Sequence, residues 1–79
     1  MAYISSKTLE KLLNSKELKK HKEINANYSI FTSDTGEKLI QINTYGSDNR
    51  EIKGKLSQTI QFNEQVLKRF INDMDLSMN

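Results

Sequence analysis

Residues 55–75 have the sequence KLSQTIQFNEQVLKRFINDMD, in which Leu56, Ile60 and Phe62 fit an alternation interrupted by Gln58, and apolar side chains then recur at every third or fourth residue. The alternation predicts a β-strand over 55–62, and the change of period predicts an amphipathic helix over 64–75. Asn63 lies between them and is a favourable N-cap, because its side-chain oxygen can accept a hydrogen bond from the first helical turn. The apolar stripe has the width of a core-facing helix, and it comprises Val66, Leu67, Phe70, Ile71 and Met74.

Two further strands precede this segment. Residues 27–33 and 38–45 are rich in β-branched and aromatic residues, which favour strands. Between them lies Asp34-Thr35-Gly36-Glu37, in which Gly36 can adopt the positive φ of a tight turn. The short connection predicts that the two strands form an antiparallel hairpin.

The N-terminal region has a helical pattern. Leu9, Leu12 and Leu13 recur at helical spacing within residues 6–23, whereas Leu18 lies out of phase with them. We therefore expect two short helices or one kinked helix in this range. Together the elements predict an α+β fold in the order α-β-β-β-α. It would be a three-stranded antiparallel meander with an N-terminal helical segment and a C-terminal amphipathic helix packed on one face.

Composition limits both the architecture and the chemistry. The chain has 79 residues, no cysteine and one histidine, which predicts a single domain over 1–79 without a disulfide or a thiolate metal site. Chains of this size often need additional stabilisation, so self-association into a homodimer stays open. No run approaches the 18 or so apolar residues of a membrane-spanning helix, and no signal-peptide pattern is present. We therefore expect a cytoplasmic protein with no membrane partner.

Residues suited to catalysis are few. His21 lies in a run of lysines, and Asp73 and Asp75 are expected to be surface carboxylates. The three glycines are isolated and form no phosphate-binding loop. Because general acid–base catalysis needs matched groups within hydrogen-bond reach, we expect no enzymatic activity, no cofactor and no metal site.

Strand alternation predicts which side chains share each face of the sheet. The face towards the helices would comprise Ile30, Ile40, Ile42, Leu56, Ile60 and Phe62. The other face would be open and would comprise Ser29, Phe31, Leu39, Gln41, Asn43, Tyr45, Ser57, Thr59 and Gln61. An open face with aromatic, amide and hydroxyl groups suits stacking and hydrogen bonding with unpaired bases. A solvated polar face without a ligand is also common in antiparallel sheets.

A candidate binding site follows from this face. Phe31 and Tyr45 would stack on bases, while Gln41 and Asn43 would add polar contacts. Nearby cations would meet phosphates; they are Lys38, Arg50, Lys53 and Lys55. The last three belong to the polar connection between the second and third predicted strands.

The run from Ile60 to Leu76, IQFNEQVLKRFINDMDL, resembles the last strand and helix of the transcriptional-coactivator family that binds single-stranded DNA. The likeness rests on an Asn-containing cap and a Glu-Gln pair between a strand and an amphipathic helix. It covers about a fifth of the chain and implies a curved antiparallel sheet, a dimer and binding of single-stranded DNA. The chain departs from the family in its shorter cap, in Val66 where an aromatic is expected, and in its predicted N-terminal helix.

These observations predict a small non-enzymatic binding module that contacts single-stranded nucleic acid or a protein–nucleic-acid complex. The alternative is a phage or mobile-element protein that inhibits a host defence enzyme through protein–protein contacts, as anti-CRISPR proteins do. Such an inhibitor would bind a host protein through the open sheet face or through an unpaired edge strand. A third interpretation is a domain that only dimerises within a larger assembly.

Overall fold

The structure is a computed structural model that describes residues 1–14, 16–46 and 56–74. Its elements follow the order β1, β2, β3, β4 and α1. Their bounds are Ala2–Ile4 for β1, Ala26–Thr32 for β2, Lys38–Thr44 for β3, Gln58–Asn63 for β4 and Glu64–Asp73 for α1. The strand and helix bounds around the C-terminal segment therefore lie close to those that the sequence predicts.

The strands form one mixed sheet in the order β1-β4-β3-β2. Strands β2, β3 and β4 are an antiparallel meander, and β1 pairs with β4 in parallel. The predicted fold class is therefore wrong: the described chain has four strands and a C-terminal helix in the order β-β-β-β-α. The strand β1 precedes the range that was predicted to be helical, and it adds a fourth strand to the sheet beside β4.

The helix predicted within 6–23 is not formed by the described residues of that range. An isolated turn forms instead, in which the Thr8 N–H donates to the Ser5 carbonyl oxygen at 3.1 Å. The side-chain oxygen of Asn14 accepts a bond from the Lys16 N–H at 3.2 Å. These are local turn interactions, which Ser and Asn side chains and backbone offer as an alternative to a helix.

The leucines of this region lack a surface on which a helix could pack. Leu12, Leu13 and Leu18 are 65%, 96% and 67% exposed. Short helices are marginal in water unless an apolar face packs against other elements, so helical spacing alone does not stabilise one here. Leu9 is the exception, because it is half-buried and lies near Phe70 of α1.

The hairpin of β2 and β3 forms as predicted. The Ser33 N–H donates to the Glu37 carbonyl at 2.8 Å, and the Gly36 N–H donates to the Ser33 carbonyl at 2.9 Å. Gly36 has φ of 86°, a conformation that other residues adopt only with strain. This turn fixes the register, in which Ile30 lies opposite Ile40.

The helix α1 packs on β3 and β4. Asn63 caps it as predicted, accepting from the Val66 N–H at 3.1 Å. Val66 is fully buried, and the rings of Phe62 and Phe70 meet edge to face with centroids 5.9 Å apart. The stripe therefore faces the sheet through Val66 and Phe70, whereas Met74, which follows the ten residues of α1, is 67% exposed.

The outer strand β2 is left largely uncovered by α1. All seven of its residues are exposed, and on the side of α1 Tyr28 and Ile30 are 70% and 60% exposed. Among the described residues there is no helix long and apolar enough to span a membrane.

Candidate functional site

Residues that lie directly opposite each other on paired strands share a face of the sheet. One cross-strand row contains Ile30, Ile40 and Phe62, and this row lies on the side of α1 because Ile30 and Ile40 line a cleft with Leu67. We call the opposite side the polar face. Its strand residues are Tyr3, Asn27, Ser29, Phe31, Leu39, Gln41, Asn43, Thr59, Gln61 and Asn63.

Asn43 lies at the centre of an array of side-chain hydrogen bonds on the polar face. Its Oδ1 accepts from Gln41 Nε2 at 3.0 Å and from Thr59 Oγ1 at 3.2 Å. Its Nδ2 donates to Oδ1 of Asn27 at 2.9 Å. The array therefore joins three strands through side chains as well as through the backbone.

Two further bonds extend the array. Gln61 Nε2 donates to Oε1 of Gln41 at 2.8 Å, and Asn27 Nδ2 donates to the Tyr45 hydroxyl at 3.2 Å. Gln41, Asn43 and Gln61 are half-buried, while Thr59 is buried. Because each amide is oriented by a neighbour, the array presents ordered donors and acceptors. We refer to these residues and bonds as the amide array.

A second hydrogen-bonded group lies at the other end of the polar face. The Tyr3 hydroxyl donates to Oε2 of Glu37 at 3.1 Å. Asn63 Nδ2 donates to the same carboxylate oxygen at 3.0 Å and to the Tyr3 hydroxyl at 3.3 Å. These bonds tie β1 and β4 to the hairpin turn.

The environment of Tyr3 changes its acidity. The pKa of the Tyr3 phenol is raised above 10.0, and desolvation is the main cause. The hydrogen bond to Glu37 and the negative charge of Glu37 raise this pKa further. The hydrogen bond from Asn63 opposes them. The phenol is therefore held in its neutral, proton-donating form.

Three aromatic side chains border the amide array. Phe31 and Tyr3 are 37% and 46% exposed, and Tyr45 is half-buried. The Tyr45 N–H donates to the carbonyl of Asn25, so Tyr45 lies beside Asn25. Asn25 precedes Phe31 by six residues, which corresponds to about 20 Å along a strand. The polar face thus has aromatic rings at both ends and amides between them.

The structure places on one face four of the residues that the sequence predicted for this site, with Phe31 and Tyr45 at opposite ends: Phe31, Gln41, Asn43 and Tyr45. Lys38 lies on the side of α1 instead, because it precedes Leu39 in β3 and side chains alternate. There it lines a cleft of about 90 Å³ with Ile30 and Glu64, far below the roughly 300–1,000 Å³ of small-molecule pockets. Arg50, Lys53 and Lys55 lie outside the described residues.

Sequence reasoning did not assign Asn27, Tyr3 or Glu37 to this site. Asn27 lies opposite Asn43, and this pairing could have been found by counting outward from the turn at Gly36. Tyr3 and Glu37 carried no comparable signal, because their contact depends on the parallel pairing of β1 with β4.

The described residues contain no group of three or more His, Cys, Asp and Glu side chains that could hold a metal ion. His21 is exposed. Comparison with models of protein families, with curated proteins and with solved structures finds no match to this chain. The coactivator resemblance therefore stays a prediction.

Proposed function

We propose that this protein is a non-enzymatic binding module whose polar face contacts single-stranded nucleic acid, alone or within a protein–nucleic-acid complex. One observation carries the proposal: an ordered array of amides lies on the polar face between the partly exposed rings of Phe31 and Tyr3 at one end and the half-buried ring of Tyr45 at the other. Bases of a single strand offer both a π-face and hydrogen-bonding edges, and proteins that bind them use aromatic and polar side chains together.

The hydrogen bonds of the array leave capacity for a ligand. An amide has two N–H groups and an oxygen with two lone pairs. Gln41 donates once to Asn43 and accepts once from Gln61. Among the described contacts, one N–H and one lone pair of Gln41 are therefore still available to a base edge.

Electrostatics give the proposal a specific requirement. None of the strand residues of the polar face is charged, and Glu37 beside it is an anion. Affinity for nucleic acid depends strongly on cations that neutralise phosphates. The proposal therefore assigns this role to Arg50, Lys53 and Lys55, in the connection that leaves the sheet after Tyr45.

Titration of fluorescently labelled single-stranded DNA, duplex DNA and single-stranded RNA, followed by anisotropy at low and moderate salt, tests the proposal. We expect binding at micromolar protein or tighter, a preference for single strands, and weaker binding as salt rises. The absence of binding to all three at low salt would remove nucleic acid as the direct ligand.

The uncharged polar face also favours a second candidate, which is inhibition of a host defence enzyme by protein–protein contact. Aromatic residues are enriched in protein interfaces, and charged residues are depleted from their centres. Under this alternative the labelled nucleic acids stay free. The purified chain would instead form a stoichiometric complex with one host protein, and replacement of Phe31 would weaken that complex.

A further inference from the structure

The strand β2 is an edge strand without the usual protection. It lies at one end of the sheet, and all seven of its residues are exposed. Natural edge strands are commonly guarded by lysine, proline, bulges or short length. The sequence of β2, ANYSIFT, has no charged residue and no proline. It therefore presents an open template for another strand.

The hairpin register shows which backbone groups face the open edge. The Ser33 N–H bonds to Glu37, and the Tyr45 N–H bonds to the Asn25 carbonyl, so odd-numbered residues direct their backbone groups towards β3. In an antiparallel pair such groups alternate along the strand. The N–H and C=O of the even-numbered residues therefore point away from the sheet, and these residues are Ala26, Tyr28, Ile30 and Thr32.

We propose that β2 pairs with β2 of a second copy of this chain, antiparallel and with the two-fold axis at Ser29. In this register Ala26 lies opposite Thr32 of the second copy, and Tyr28 lies opposite Ile30. In all four outward-facing residues of each copy, both the N–H and the C=O then form hydrogen bonds with the other copy. Shifting the register by two residues leaves one of these residues without a partner.

The same register covers the apolar surface that α1 leaves exposed. Tyr28 and Ile30 are 70% and 60% exposed, and both lie on the side of α1. Directly opposed aromatic and β-branched side chains are favourable cross-strand pairs. The two-fold axis makes this pair twice, beside the clefts that Ile30 lines with Leu67.

Charges at the ends of β2 select the antiparallel orientation. Residues 19–23, before the strand, are Lys-Lys-His-Lys-Glu, with a net charge of +2 if the histidine is neutral. Residues 33–37, after the strand, contain Asp34 and Glu37 and no cation. Antiparallel pairing places the basic flank of one copy beside the acidic flank of the other, twice, whereas parallel pairing would place like charges together. This complementarity favours a second copy over an unrelated strand.

Pairing would also enlarge the polar face. Asn27 and Phe31 of the two copies would lie opposite each other across the new junction, so the two polar faces would form one continuous surface. The inference does not depend on what that surface binds, and self-association can be measured without any nucleic acid.

Sedimentation velocity of the full chain over a range of concentrations tests the pairing. The same measurement is made on two variants that carry opposite charges at Ser29, the residue on the two-fold axis. Ser29→Lys and Ser29→Glu each place like charges directly opposite one another in the proposed dimer, which is unfavourable. We expect each variant alone to dimerise at least about fivefold more weakly than wild type. An equimolar mixture of the two should recover the dimer, which also shows that both variants fold.

A cysteine placed at the axis reports the register. Residues at 29 would be a non-hydrogen-bonded pair with Cα atoms about 4.5 Å apart, within the range of a disulfide. We expect Ser29→Cys to cross-link on mild oxidation, and the chain has no other cysteine. Asn27→Cys alone should not cross-link, because its counterpart would be about 13 Å away, but it should cross-link with Phe31→Cys.

Three outcomes would overturn the inference. One is a monomer at every concentration up to about 0.5 mM. Another is a dimer that neither charged variant weakens, which would locate the interface elsewhere. The third is a mixture of Ser29→Lys and Ser29→Glu that stays monomeric while wild type dimerises.

Discussion

Asn63 connects the start of α1 to the β2–β3 turn, because its Nδ2 donates to Oε2 of Glu37 at 3.0 Å while its Oδ1 accepts from the Val66 N–H at 3.1 Å. The side chain is only 7% exposed. Many residues with an oxygen can cap a helix, but a bond to a carboxylate also requires a donor. Asparagine provides both, so this position depends on the amide and not on capping alone.

The first prediction concerns the stability of Asn63→Asp. The aspartate still caps α1, but it replaces the N–H donor with a second carboxylate beside Glu37. We expect a loss of about 1–3 kcal/mol in the free energy of unfolding at neutral pH, because the substitution buries a carboxylate beside the carboxylate of Glu37 and replaces a hydrogen bond with like-charge repulsion. Urea denaturation measures this loss, and a variant as stable as wild type would contradict it.

A second substitution provides the control for that prediction. In the double variant Asn63→Asp/Glu37→Gln, an amide donor again faces a carboxylate. We expect the double variant to recover at least about 0.5 kcal/mol relative to Asn63→Asp, a non-additivity typical of side chains in contact. Additive losses in the two variants would show that Asn63 acts only as a helix cap.

The second prediction concerns alkaline pH and Tyr3. The pKa of its phenol is raised above 10.0 in the folded protein, so folding favours the neutral form. The stability from this shift is present below pH 10 and is lost as pH rises through the folded pKa. We expect the stability advantage of wild type over Tyr3→Phe to shrink between about pH 8 and about pH 11.

Urea midpoints of both proteins at each pH measure this difference. All other ionisable groups are the same in both proteins, so their contribution cancels in the comparison. Tyr3→Phe also lacks the bond to Glu37, and we expect it to be less stable than wild type near pH 8. A difference that does not change with pH would contradict the role of the phenol.

The C-terminal half of the fold could be predicted from the sequence because its signals are local. Asn63 as a cap and the change of apolar period after it are readable within a few residues. Gly36 identifies the hairpin in the same way. The strand β1 has only three residues, too few for a pattern, and its parallel pairing with β4 depends on contacts between residues far apart in the chain.

The candidate site was predictable in part for a related reason. Alternation placed Phe31, Gln41 and Asn43 on one face, as the register confirms. Lys38 is near these residues in the sequence, but the same alternation puts its side chain on the opposite face, with Ile40. The bonds within the amide array could not be predicted, because they depend on side-chain orientation across three strands.

The third prediction separates the two faces of β2 by their effect on nucleic-acid binding. Phe31→Ala removes an aromatic ring from the polar face, whereas Tyr28→Ala removes a more exposed ring from the side of α1. Stacking on a base contributes about 1–3 kcal/mol, so we expect Phe31→Ala to weaken single-stranded DNA binding by at least about fivefold. Tyr28→Ala should leave the affinity within about twofold, measured below the concentration at which the chain self-associates. Equal losses in both variants would show that the polar face is not the binding surface.

The fourth prediction concerns the cations of the 46–57 connection. Replacing Arg50, Lys53 and Lys55 together with alanine should weaken binding to single strands and reduce its dependence on salt. If each cation neutralises one phosphate, the slope of log affinity against log salt should fall by about 2. The matched control is alanine at Lys11, Lys16 and Lys19, in the exposed N-terminal region, which changes net charge equally. Unchanged affinity and slope in the first variant would remove these cations from the site.

The fifth prediction compares two apolar residues to test whether the N-terminal leucines contribute to the core. Val66 of α1 is fully buried, whereas Leu13 is 96% exposed. Truncating a buried side chain costs transfer free energy and leaves a cavity, so we expect Val66→Ala to lose about 1–3 kcal/mol of unfolding free energy. Leu13→Ala should change it by less than about 0.5 kcal/mol, although it removes more apolar atoms. A large loss in Leu13→Ala, measured by urea denaturation, would mean that the leucine stripe does pack as the original helical pattern suggests. A small loss would confirm that apolar spacing without a receiving surface does not build a helix in this chain.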